Sequence, residues 1–288
     1  MRESVLKIFL SFRGGIVLCL MVSSFRLISH LAPLFLVMGV IVETLPAQWT
    51  VRSQAGPVKL PGGAIQVKKQ LAGPTEAELN LILFTAGKYE MRVVHQPERD
   101  KGVSLATKMR ELGAIAGCNG GYFTPDFLPL GLEVSDGVRS GTFQRSSLLG
   151  GVFLVRHGRP AMVWKDEYIE QKGVTQLLQA GPRLVHAGLP VAGLEATKRR
   201  ARTFILTDQA GNWALGTCKS VTLRELSDLL STRALLPEVT VKRALNFDGG
   251  NSTGLWWRAE GGQEHGEREY ARVRNFLVLM PKTPVAAR

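Results

Sequence analysis

Two stretches of this chain end an apolar run with a polar side chain and then twin glycines: 114–118 leads into Asn119-Gly120-Gly121, and 244–247 into Asp248-Gly249-Gly250. Twin glycines let the backbone come close to a ligand and turn successive N–H groups toward an anion. An amide and a carboxylate at strand exits are rigidly aimed. In Gln179-Ala180-Gly181-Pro182-Arg183 the Gly-Pro step forces an extended turn that displays Gln179 and Arg183. Arg202 opens the run 203–207, where a guanidinium can grip phosphate through two parallel bonds. Glu133 is a second carboxylate within 131–137, and Asp136 belongs to the turn there.

Other motifs carry less. Gly250-Asn251-Ser252-Thr253-Gly254 spells a nucleophile elbow, which needs a strand before the serine and a helix after it. Residues 254–257 read as another strand, and His265 follows too closely for the usual triad, so a serine esterase is disfavoured. His95, His157 and His186 lie on or near apolar strands and read as structural or exposed. With 3 cysteines, 5 histidines and no CxxC, neither a zinc site nor another cofactor is expected.

The elements that must hold these residues are mostly short strands. Runs at 79–84 and 89–95 flank Ala86-Gly87-Lys88, a hairpin signal. A helix over 103–112 stops at Gly113. Further strands are expected at 114–118, 131–134, 152–157, 161–164, 202–207, 213–216, 239–247 and 272–280, with 48–74 as an irregular or edge-strand lead-in. Thr222 and Glu225 form a capping box that starts a second helix, its stripe made by Leu226, Leu229 and Leu230. Many strands and two helices give an α+β class with a mostly antiparallel or mixed sheet, and no linker divides the chain after residue 47.

The 288 residues are 45% apolar, enough for a sizeable core, and the 31 glycines follow no collagen period. A balance of 36 basic against 24 acidic residues leaves a net charge of +12, which suits anionic partners: phospholipid head groups, anionic polysaccharide or a phosphorylated substrate. The basic residues are dispersed without aromatic interleaving, which argues against nucleic acid. The dense cluster Lys198-Arg199-Arg200 with Arg202 reads as a solvated face. Residues 1–47 read as an export segment. The run at 31–42 has the length of a signal-peptide core, and Leu45-Pro46-Ala47 offers a cleavage site. The alternative is an uncleaved membrane anchor, and Met21 is an alternative start. Export leaves one domain over 48–288, periplasmic or secreted, with Cys118 and Cys218 either bridged or as buried thiols.

In this order, Asn119-Gly120-Gly121-Tyr122-Phe123, the run 131–137, Gln179 to Leu184, Arg202-Thr203 and Leu245 to Ser252 resemble the phosphodiester glycosidase family over roughly 79–280. The exported bacterial branch is the nearer fit. The resemblance implies hydrolysis of a sugar–O–phosphate bond at the anomeric carbon. It implies Asp248 as base or nucleophile, Glu133 as a second carboxylate, and Asn119 and Asn246 on sugar hydroxyls or orienting Asp248. Arg202 and Arg183, with the N–H groups of Gly120, Gly121, Gly249 and Gly250, would hold phosphate. Phe123, Gly181, Thr203 and Ser252 complete the expected substrate site. The reading from another class is a non-catalytic module that binds anionic envelope glycans through the same pocket.

Overall fold

In the computed structural model, residues 49–282 are described throughout, and two earlier strands, Leu6–Ser11 and Val17–Val22, as backbone only. Those two pair antiparallel and belong to a separate N-terminal unit. The rest of the export segment lies outside the described residues. No helix among the described residues is long and apolar enough to cross a membrane.

From Leu45 onward the chain forms one unit built on three sheets. The largest runs in the order Leu189–Pro190, Arg183–His186, Arg243–Asn246, Arg200–Thr207, Asn212–Val221, Glu76–Thr85, Ile65–Ala72 and Thr50–Lys59. A second contains Glu264–Glu267, Leu255–Arg258, Ala116–Asn119, Asn275–Pro281 and Tyr89–His95. The third orders Arg159–Trp164, Gly151–Arg156, Val174–Ala180, Glu133–Ser135 and Val138–Ser140. Every pairing between these strands is antiparallel. The α+β expectation holds.

Strand alternation explains the core. In Glu76–Thr85, Ile82 and Phe84 face a cluster shared by all three sheets, which includes Phe153, Trp213, Phe247 and Leu277. Leu79, Leu81 and Leu83 face the other way, against α2 (Leu223–Ser231). Both faces are covered, so the strand reads as a continuous apolar run instead of alternating. Helix α1 (Leu105–Leu112) covers the outer face of the second sheet with Leu105 and Met109. Its N-cap Ser104 accepts a bond from the Thr107 amide, and Gly113 ends it in the left-handed region at φ 65°. The capping box of Thr222 and Glu225 is complete.

Several expectations change. Glu76–Thr85 and Tyr89–His95 are not a hairpin. The turn Ala86–Lys88 carries the chain from the first sheet to the second, and the Ala86 amide bonds Gly211 O instead of a strand partner. Val174–Ala180 is a full strand ahead of the Gly-Pro turn, which sequence reading did not mark. The strand expected over 239–247 shortens to Arg243–Asn246, because Val239 and Val241 pack as irregular chain under α2. The lead-in is a pair of regular strands, with Thr50–Lys59 at the sheet edge. Cys118 and Cys218 are buried free thiols in different sheets, pushed far above the ordinary thiol range by burial.

Candidate active site

Two central strands from different sheets end at the same place. Ala116–Asn119 lies between Leu255–Arg258 and Asn275–Pro281; Arg243–Asn246 lies between Arg183–His186 and Arg200–Thr207. Their following loops are stitched together: the Asp248 amide donates to Gly120 O at 3.0 Å, and Asn119 Nδ2 donates to Asp248 O at 2.8 Å. The two twin-glycine segments therefore form one site.

Asp248 is half-buried, and its carboxylate accepts from the Gly249 amide at 2.9 Å and from Ser252. Among the described residues it has no ion-pair partner within 4.0 Å. Burial pushes its pKa above the ordinary aspartate value, against the opposing pull of Ser252 and the Gly249 amide. A carboxylate strained toward neutrality, open to solvent on one side and bonded to short donors, suits attack or proton abstraction.

Around it, most of the expected site residues position rather than bind. Asn119 is 1% exposed, and its Oδ1 accepts from Thr203 Oγ1 at 2.7 Å and the Gly254 amide at 3.0 Å. Its Nδ2 holds the Asp248 main chain while its Oδ1 is anchored by Gly254 and the wholly buried Thr203, an arrangement that suits orienting Asp248. Asn246 is 1% exposed and donates to Tyr122 Oη at 2.8 Å and Gly181 O at 3.1 Å, so it orients the tyrosine instead of sugar. Gly181 O also accepts from Tyr122 Oη at 2.7 Å. Phe123 is half-buried, edge-on to Phe127 at 5.1 Å.

Three of the four glycine amides expected to hold phosphate are already bonded within the protein. Gly120 donates to Asn275 O at 3.0 Å and Gly121 to Asn275 Oδ1 at 2.7 Å, both buried, and the Gly249 amide is taken by Asp248 itself. The twin glycines serve close packing here: a Cβ on Gly120 would stand 2.1 Å from Asn275 Oδ1, and one on Gly249 2.8 Å from Ala201 O. Gly250, at φ 62°, starts the one-turn helix that presents Ser252. The strand Leu255–Arg258 follows, so no nucleophile elbow forms; His265 is stacked on Trp257.

Glu133, expected as a second carboxylate, is buried behind the loop of Gly120 and Gly121. It is 1% exposed, accepts from Asn275 Nδ2 at 2.7 Å, and faces His95 Nδ1 at 3.3 Å. Burial raises its pKa, opposed by Arg274, Asn275 and His95. It holds Asn275, which holds Gly120 and Gly121. Arg183 is likewise turned away, its guanidinium 5.5 Å above the Trp164 ring. Asp136 occupies the turn assigned to it and bonds Arg92 at 2.5 Å. His186 accepts from Trp164 Nε1 at 2.7 Å.

Arg202 is near Asp248 but largely committed. Its Nη2 donates to Lys198 O at 2.7 Å and Nε to Val221 O at 3.3 Å, Glu195 lies 3.6 Å away, and burial lowers its pKa. Arg200 is the solvent-facing cation: it is exposed, its Nη1 lies 3.9 Å from the Cβ position of Gly250, and it makes no ion pair among the described residues. Sequence reading missed Arg200 because it sat in a charge run. It missed Tyr122 and Asn275 as functional groups because their partners are distant in sequence. Tyr122 is held protonated, its pKa raised first by burial and then by the Asp248 charge.

A family model described as phosphodiester glycosidase matches residues 112–280, more than half of the chain and all of the loops above. A search of curated proteins finds no match. The zebrafish N-acetylglucosamine-1-phosphodiester alpha-N-acetylglucosaminidase catalytic domain is similar in fold, at TM-score 0.55 and 14% identity over 84% of this chain and 85% of that one. A hypothetical protein from Synechocystis is similar at TM-score 0.53 and 18% identity, over 83% of this chain and 69% of its own. Family match and shared fold lead to one conclusion: this chain belongs to the phosphodiester glycosidase family, whose function is of the glycosidase type.

Proposed function

We propose that the protein is an exported hydrolase that cleaves the glycosidic bond of a sugar-1-phosphodiester at Asp248. The observation that carries this reading is Asp248 itself, a half-buried carboxylate without an ion-pair partner among the described residues, at the joint of the two strand-end loops, with the exposed Arg200 near Gly250 in the same loop. The C1–O bond breaks with its electron pair going to the phosphate oxygen, water adds at C1, and a free sugar and a phosphate monoester leave. Phosphate esters are acidic leaving groups, so a strong general acid is unnecessary. Asp248 supports the developing oxocarbenium ion as base or nucleophile. Arg200 meets the phosphate, with Arg202 adding positive potential from behind. Tyr122 orders the Asp248 loop through Gly181 and Asn246. The apolar run at 31–42 and the net charge of +12 support export toward an anionic envelope.

Hydrolysis in ¹⁸O-water tests the reaction. N-acetylglucosamine-1-phosphodiesters come first in the panel, because the zebrafish relative is named for that substrate. The label is expected in the sugar, as C1–O cleavage requires. Label in the phosphate would make the protein a phosphodiesterase and overturn the proposal, and glycan binding without turnover would favour a non-catalytic module.

A further inference from the structure

The third sheet has an outward face that the Asp248 site does not use. Leu154 pairs with Ala161 and Val152 with Val163 on that face, and Tyr168 and Val174 close around them. One register step further, Arg156 stands directly opposite Arg159. Both line the same groove of about 510 Å³, with Leu154, Val163, Tyr168 and Ile169 as its apolar walls. Like charges directly opposed across a strand pair destabilise it unless something lies between them. Among the described residues neither arginine forms an ion pair, and both are exposed. Glu167, the one carboxylate in the wall, is bonded to Arg243 at 2.6 and 3.0 Å and to the Trp164 amide at 3.0 Å, so its charge is spent. Ile169 remains 72% exposed at the rim.

We propose that this groove binds an amphiphilic anion of the alkyl-phosphate class. The phosphate sits between Arg156 and Arg159, which offer paired donors to one oxyanion. The chain lies along Leu154, Val163 and Tyr168, removing apolar surface from water. The volume falls within the range of small-ligand sites. A neutral lipid leaves the arginine pair unrelieved, and inorganic phosphate leaves the apolar floor wet. The proposal stands independently of the reaction assigned to Asp248.

Calorimetric titration of the full chain with monomeric dodecyl phosphate tests it, with inorganic phosphate and dodecyl maltoside as the other arms. Saturable binding of dodecyl phosphate, with the other two weaker by about tenfold or more, is expected. The pair Arg156→Glu with Arg159→Glu is expected to weaken the probe about tenfold or more, and Ile169→Asp to weaken it less, both with unchanged thermal melts. Arg200→Glu, at the other site, is expected to leave the affinity of the groove for dodecyl phosphate unchanged. No saturable binding overturns the proposal, as does equal binding of dodecyl maltoside. Unchanged affinity in the double variant, or loss in Arg200→Glu instead, overturns it too. Phosphatidylglycerol vesicles that compete for the probe would identify a bilayer lipid as the occupant, and vesicles that do not compete would identify a free amphiphile.

Discussion

Asp248 is asked to be ionised for chemistry in surroundings that favour its neutral form. Burial raises its pKa, and Ser252 and the Gly249 amide pull it back. The acidic limb of kcat/KM should therefore have its midpoint above the ordinary aspartate range. Ser252→Ala removes a donor to the ionised form, so the pKa rises further and the limb moves to higher pH. Turnover near neutral pH should fall by no more than about a hundredfold, because a single hydrogen bond to a charged group contributes about 1.5–3 kcal/mol. A pH–rate profile of both proteins checks this, and complete loss in Ser252→Ala would restore the serine as nucleophile. The sequence reading named Asp248 as the carboxylate and Ser252 as a substrate-site residue, and the structure bonds the two to each other. It misjudged Arg202 and Arg183, because type and order say nothing about the carbonyls and ring that occupy their guanidinium groups.

At the level of elements, what was legible was local. The Thr222–Glu225 box, the Gly113 stop and the turn at Asp136-Gly137 each depend on a few adjacent residues, and each stands where expected. What was hidden depended on distant partners. Gly121 and Asn275 are 154 positions apart, so nothing in the local pattern showed that the glycine amides were already bonded. The crossover at Ala86–Lys88 failed for the same reason: a short turn between two strands looks alike whether they share a sheet or not. Gly120→Ala follows from the observed packing. Its Cβ would meet Asn275 Oδ1 at 2.1 Å and Leu178 Cδ2 at 3.0 Å, displacing the amide that orders the loop. A loss of about 3 kcal/mol in denaturant unfolding is expected, together with reduced turnover. Unaltered stability would mean that Asn275 does not pin this loop.

The unit from Leu45 onward uses its three sheets to bring two strand ends together, and the proposed chemistry sits at the seam. The cost of that seam should be visible in stability. Asp248 has a raised folded-state pKa, so keeping it ionised at neutral pH opposes folding, and relief comes as pH falls toward protonation. Asp248→Asn is therefore expected to melt higher than the parent at pH 7, with the gap shrinking in acid. Equal melting temperatures at both pH values would remove the electrostatic strain from the account. The most direct test is the turnover of Asp248→Asn on a sugar-1-phosphodiester that the parent hydrolyses, measured with binding of the same compound. The account predicts a fall in kcat of about a thousandfold or more with the dissociation constant little changed; a variant that turns over like the parent would contradict it.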